Sequence, residues 1–411
     1  MADMYQRYQA YADATDPLRD MASAVLPLSQ WNWPGMPQPL AMKQFVAGLD
    51  TFAHTRVTHV RPPFGLDQIL DNGRTVVVRE EIADHTPFCS LLRFRKELPA
   101  GTAPQPRVLV VAPMSGHFAT LLRGTVKTLM RDHDVYLTDW HNVRDIAPEE
   151  GNFDMDDYVG HVIRFLQKIG PGAHLLAVCQ PTVAALSAVA VMAEAGDACQ
   201  PDSMTLMAGP IDTRINPTGV NDLAKSKPID WFEKNLVCTV PERYAGAGRR
   251  VYPGFLQLAA FMSMNMERHV GAFRNLYNDL IEEETARAEA VKVFYKEYFA
   301  MTDLAADFYL ETVRLVFQEH ALPLGKLHYR GAPIDLSAIR HTALFTVEGE
   351  KDDICAVGQT LAAQELCSGI RPSRRLHHVQ TAVGHYGVFN GSRWNKEIYP
   401  RLRDFITMHQ H

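Results

Sequence analysis

The fold turns on the segment His174-Leu175-Leu176-Ala177-Val178-Cys179-Gln180-Pro181-Thr182. An apolar strand from His174 to Val178 runs straight into a helix-forming stretch from Thr182 to Ala195, so Cys179 falls where a buried strand must turn sharply into a helix. That is the layout of a nucleophile elbow, written G-x-S-x-G. Such a turn needs small residues two places before and after the nucleophile, so that the backbone can close and leave the side chain above the sheet. Ala177 meets the first need. Pro181 departs from the usual Gly, but a proline in the first helical turn loses only an N–H that has no intrahelical partner. The N–H of Gln180 remains as an oxyanion donor, and a helix N-terminus favours a thiolate at Cys179. A buried cysteine packing as a small hydrophobe is the plainer alternative.

Outward from this segment the chain alternates. Upstream lie an apolar strand from Val108 to Ala112, a helix from Ala119 to Met130, a strand from Val135 to Thr138 and a helix from Met155 to Ile169. Downstream comes a strand from Met204 to Ala208. Strands apolar on both faces, separated by helices, imply a parallel sheet covered on both sides. Before it, Thr75 to Ile82 and Ser90 to Lys96 read as an antiparallel pair. Residues 61–210 and 321–411 are therefore read as the core. Residues 211–320 carry no apolar strand flanked by turns but show helical patterns, including Glu282 to Tyr298 and Met301 to His320, and are read as an inserted helical cap. Residues 1–60 are read as a helical extension with a Trp- and Pro-rich turn near Trp31 to Pro34; Leu18, Met21 and Val25 have the spacing of a helix face packed on a larger body.

Two partners for Cys179 fit the order of an α/β-hydrolase triad, which runs nucleophile, acid, base. Strand Ala343 to Val347 leads into Glu348-Gly349-Glu350-Lys351-Asp352-Asp353-Ile354, and Leu376 to Thr381 leads into Val383-Gly384-His385-Tyr386-Gly387. Both follow the C-terminal ends of strands, where open α/β sheets keep their sites. Asp352 and His385 are the candidates, with Glu348, Glu350 and Asp353 competing for the acid. Ser115-Gly116, after strand Val108 to Ala112, is the expected second source of oxyanion N–H groups.

Composition removes other classes. The 411 residues carry 41 basic and 47 acidic side chains, a formal charge of −6, and lack the basic surplus of a nucleic-acid binder. There is no HExxH, P-loop or GxGxxG, so neither a metal nor another cofactor is expected. Six cysteines without CxxC pairing suit a reducing compartment. The first 20 residues show no secretory h-region and no apolar run is long enough for a membrane span, so the expectation is a cytoplasmic protein.

The chain resembles the intracellular poly(3-hydroxybutyrate) depolymerases over nearly its whole length. The matching segments are APMSGHFATLLRGTV (112–126), VYLTDW (135–140), VCQPTVAAL (178–186), AGPIDTR (208–214), GRRVYPGFLQ (248–257), VEGEKDDI (347–354) and GHYGVF (384–389). The resemblance implies an α/β-hydrolase fold with Cys179 as nucleophile, Asp352 as acid and His385 as base, hydrolysing amorphous storage polyester at the granule surface in the cell. The polyhydroxyalkanoate synthases are similar too, and their Asp-His-Ile loop aligns the acid with Asp352. Their elbow, however, has Gly on both sides of the cysteine, where Ala177 and Pro181 stand here. Two alternatives accompany this reading: an acyltransferase passing the 3-hydroxyacyl group to coenzyme A or a growing chain, and a non-catalytic granule-binding protein.

Overall fold

The computed structural model describes residues 4–29, 39–71, 73–264 and 266–410. The expected turn at Trp31 to Pro34 lies outside them. A nine-stranded sheet organises the molecule: β1 (Gln68–Asp71), β2 (Arg74–His85), β3 (Cys89–Lys96), β4 (Arg107–Val111), β5 (Asp134–Trp140), β6 (Ala173–Val178), β7 (Ser203–Met207), β8 (Ala343–Gly349) and β9 (Arg375–Gln380), in the order β1-β2-β3-β5-β4-β6-β7-β8-β9. The first three strands are antiparallel to their neighbours, and from β5 onward every pairing is parallel. With β1 set aside as an extra edge strand, this is the strand order of the α/β-hydrolase fold.

The sequence explains the sheet's centre. Every residue of β6, β7 and β8 is buried, as parallel strands covered on both faces must be. The helix Met155–Ile169 starts at a capping box between Asp154 and Asp157 and stops at Gly170. The helix Thr182–Glu194 is buried almost all round, and its alanines let it lie close on the sheet. The chain direction reverses between β4 and β6, so the C-terminal end of β6 opens at a switch point, where such sheets bind ligands.

The region between β7 and β8 is mostly helical but differs from the sequence reading in three ways. It contains a small antiparallel sheet of Cys238–Thr239, Arg250–Tyr252 and Leu304–Ala305, strands too short to leave a sequence pattern. The Met301-to-His320 pattern begins in that sheet, and its helix starts only at Ala306. The Glu282-to-Tyr298 helix runs over Thr285–Tyr298, after a turn in which Glu283 takes φ 62°.

At the N-terminus lie two helices, Met4–Ser29 and Leu40–Ala53. The predicted inward face is wrong. Leu18, Met21 and Val25 are exposed, while Tyr5, Arg19 and Ala22 are buried. The helix docks through aromatic and polar contacts instead: Tyr5 donates to Asp303 Oδ2 at 2.5 Å, and Tyr8 stacks on Phe255 at 4.1 Å between centroids. Among the described residues no helix is long and apolar enough to cross a membrane.

Candidate active site

Cys179 leaves β6 with φ 68°, the left-handed conformation that a non-glycine residue adopts at a cost of about 1–3 kcal/mol. The turn is over-determined by its neighbours. The Cys179 N–H donates to the Met207 carbonyl at 2.7 Å, and its own carbonyl accepts from Thr182 N–H at 3.1 Å and Thr182 Oγ1 at 2.9 Å. Close packing absent at Pro181 is supplied from the next strand. A Cβ on Gly209 would lie 2.0 Å from Thr182 Oγ1, so only glycine lets the β7 exit pass the elbow.

The loops after β8 and β9 are stitched together over this turn. Lys351 N–H donates to the Val383 carbonyl at 2.9 Å, and Ala382 N–H to Glu350 Oε2 at 2.8 Å. Gly387 is needed for close approach, since a Cβ there would meet Val383 Cβ at 2.7 Å. The result brings His385 Nδ1 to 2.8 Å from Asp352 Oδ2, both residues buried. Asp352 Oδ1 is occupied by the N–H groups of Ile354 and Cys355 at 2.9 and 2.8 Å.

The competing acids have other partners. Asp353 is exposed. Glu348 is buried and accepts the N–H groups of Gly358, Thr360 and Leu361 at 2.8–2.9 Å, folding the acid's loop back on the sheet. Asp139 bonds Arg61 at 2.7 Å, and burial lifts its carboxyl to about 6. His117 packs between the rings of Phe261 and Tyr298, and burial pushes it down to about 4, a neutral core histidine.

The electrostatics favour a thiolate and an imidazolium. A hydrogen bond from the Cys355 thiol, and then the His385 charge, hold Cys179 well below the usual thiol range against the opposing effect of burial. Burial disfavours charge on His385, but the Cys179 thiolate and the Asp352 carboxylate together raise it well above its usual value.

The loop after β4, from which oxyanion N–H groups are expected at Ser115 and Gly116, meets the elbow at Met114. Met114 N–H points at Gln180, donating to its Oε1 at 3.3 Å. Gly116 instead turns its carbonyl to Thr302 N–H at 2.6 Å, tying the loop to the inserted region. Sequence reasoning missed the roles of Met114 and Thr182, which lie inside the quoted segments, and above all Cys355, which lies in no motif and reaches Cys179 only through the folded loop after β8. The inserted region reaches the site through Tyr386, which packs against a cluster of Leu258, Tyr295, Tyr298, Phe299 and Met301.

Residues 208–410 match a protein family described as PHB de-polymerase C-terminus. Among solved structures the chain is similar to a meta-cleavage product hydrolase from Pseudomonas fluorescens IP01, at 16% identity over 83% of this chain and 96% of that one with a TM-score of 0.39. It is similar to a 2-hydroxy-6-oxo-6-phenylhexa-2,4-dienoate hydrolase from Rhodococcus sp. strain RHA1, at 11% identity over 81% and 99% with a TM-score of 0.40. A thermophilic esterase from Thermogutta terrifontis shows 10% identity over 84% and 98% with a TM-score of 0.40. No curated protein matches the chain.

Proposed function

We propose that this chain, a PHB depolymerase-like ester hydrolase by its match over residues 208–410, cleaves the ester bonds of stored poly(3-hydroxybutyrate) through a Cys179-His385-Asp352 triad. The observation that carries this reading is the 2.8 Å bond between His385 Nδ1 and Asp352 Oδ2, with the Cys179 thiolate beside the same imidazole.

In this mechanism the Cys179 sulfur attacks the ester carbonyl, and the carbonyl oxygen becomes an oxyanion. The Gln180 N–H receives it, together with an N–H of the Met114-Ser115-Gly116 loop once the Gln180 side chain swings aside. His385, as imidazolium, gives its Nε2 proton to the leaving alkoxide, which departs as the hydroxyl end of the shortened polymer. The thioester left on Cys179 is then attacked by water, whose proton His385 accepts. Asp352 stays ionised throughout and holds the imidazole tautomer. The site would act in the cytoplasm at the surface of amorphous polyester granules.

The test is incubation with amorphous granules, with and without coenzyme A, and identification of products by mass spectrometry. Free 3-hydroxybutyrate or its short oligomers, abolished by Cys179→Ala, is the expected result. Activity retained in that variant would overturn the triad. Products appearing only as coenzyme A thioesters would replace hydrolysis with thiolysis.

A further inference from the structure

Cys355 is 3% exposed, and ester cleavage has no use for it. It nevertheless belongs to the same cluster, and contact with its side chain is the largest influence on the Cys179 thiol. The contact is held from behind: Cys355 N–H donates to Asp352 Oδ1 at 2.8 Å, while Asp352 Oδ2 holds His385 at 2.8 Å. One carboxylate therefore fixes both the imidazole and a second thiol around the same sulfur. Both cysteines are free.

We propose that Cys179 and Cys355 form a two-thiol modification site, at which a hydroperoxide converts the nucleophile into a disulfide with Cys355. Cys179 is partly exposed and Cys355 buried, so an oxidant entering from solvent meets Cys179 first. The sulfur electron pair of the Cys179 thiolate attacks one peroxide oxygen. The O–O bond breaks, an S–O bond forms, and hydroxide leaves, taking a proton from the site to become water. The sulfur of Cys355 then attacks Cys179; the S–S bond forms, the S–O bond breaks, and the departing hydroxyl takes the Cys355 proton as a second water. Two thiols have lost two electrons and two protons, and the peroxide has gained them.

The charges on the two sulfurs suit this order. The Cys179 thiolate is the nucleophile toward peroxide, while contact with that thiolate and burial keep Cys355 protonated until the charge on Cys179 has gone. The final S–S bond of about 2.05 Å requires the sulfurs to turn inward from hydrogen-bond contact. The disulfide protects as well as inactivates, because a sulfenic acid without a resolving thiol proceeds to the irreversible sulfinic acid.

The inference rests on Cys179 being the reactive thiol, and the two can fail separately because the link is read by mass rather than by activity. The full chain, with Cys355→Ala and Cys355→Ser beside it, is treated with hydrogen peroxide, blocked with iodoacetamide and digested. In the unsubstituted chain a linked Cys179–Cys355 peptide is expected, with activity on a soluble short-chain ester restored by dithiothreitol. Each variant, normalised to its own untreated activity, should stay inactive after dithiothreitol and carry sulfinic acid at Cys179. The serine form preserves the buried volume should the alanine form fold poorly. Absence of the linked peptide, or equal recovery in the serine variant, would overturn the proposal.

Discussion

Asp352 and Asp353 are chain neighbours with opposite surroundings, and one pair of substitutions separates them. In Asp352→Asn the side-chain oxygen can still accept the N–H groups of Ile354 and Cys355, so the loop should keep its shape. The amide nitrogen would then face His385 Nδ1 and favour the wrong tautomer. Turnover of a soluble ester should fall by about two to four orders of magnitude. Asp353→Asn, at an exposed position without that contact, should retain most activity; the reverse ranking, in the same steady-state assay, would move the acid by one residue. At this scale the sequence was legible where a motif carries the chemistry. The strand-to-helix turn singled out Cys179, and a Gly-His-Tyr-Gly loop after a strand singled out His385. Spacing could not choose between Asp352 and Asp353, because both follow β8; there the family resemblance made the choice. Nor could it set Cys355 apart from Cys89 or Cys367, since its proximity to Cys179 spans 176 residues of chain and arises only in the folded site.

Elements were legible where caps or apolar runs mark them and obscure where they dock through polar contacts. The helix Met155–Ile169 has both ends where its cap and Gly170 put them, and β6 to β8 follow from mostly apolar runs. The helix Met4–Ser29 docks through the two tyrosines at its start, Tyr5 on Asp303 and Tyr8 on Phe255, so the apolar spacing of Leu18, Met21 and Val25 does not mark its buried face. The helix Leu40–Ala53 docks by a comparable polar contact. Asp50 Oδ2 lies 2.6 Å from Lys292 on Thr285–Tyr298, and Asp50 Oδ1 lies 2.9 Å from His54. Burial opposes the Asp50 charge, but these partners lower its carboxyl below the usual 3.8; the bond to Asp50 raises His54 above 6.5. The depressed carboxyl contributes stability above 3.8 and loses it as the pH falls through its folded value. The raised histidine contributes below 6.5 and loses it as the pH rises through its own. The attachment should therefore be strongest between about pH 4 and 6.5. Asp50→Asn should lower stability by about 1–3 kcal/mol, with the largest loss inside that window. Urea midpoints measured from pH 4 to 9 check this, and a pH-independent difference would show that the charge is irrelevant.

At the scale of the molecule, the hydrolase sheet is ordinary and the chemistry depends on what lies above it. The loop after β4 is tied to the inserted region by Thr302, and the aromatic cluster around Tyr298 packs on Tyr386, next to His385. Most large apolar residues of that region are consumed by its own packing: Phe232 is buried, Tyr252 stacks on Tyr309, and Phe255 on Tyr8. A few on its helices are not. Met266 and Val270 on Met266–Ile281, and Val293 on Thr285–Tyr298, stand 49–53% exposed. A water-insoluble polyester is met at a surface, where exposed apolar side chains gain by leaving water at roughly 25 cal/mol per Å² buried. A short soluble ester diffuses to the triad and gains nothing from them. Polar replacement, as in Val270→Ser with Val293→Ser, removes no buried contact and should leave the fold and the soluble-ester rate within about twofold, since exposed substitutions usually shift stability by less than 0.5 kcal/mol. Binding to amorphous granules, read by co-sedimentation, and the rate on them should fall several-fold. Equal loss on both substrates would mean that these helices support the site mechanically, and no loss on either would place the polymer-facing surface elsewhere on the molecule.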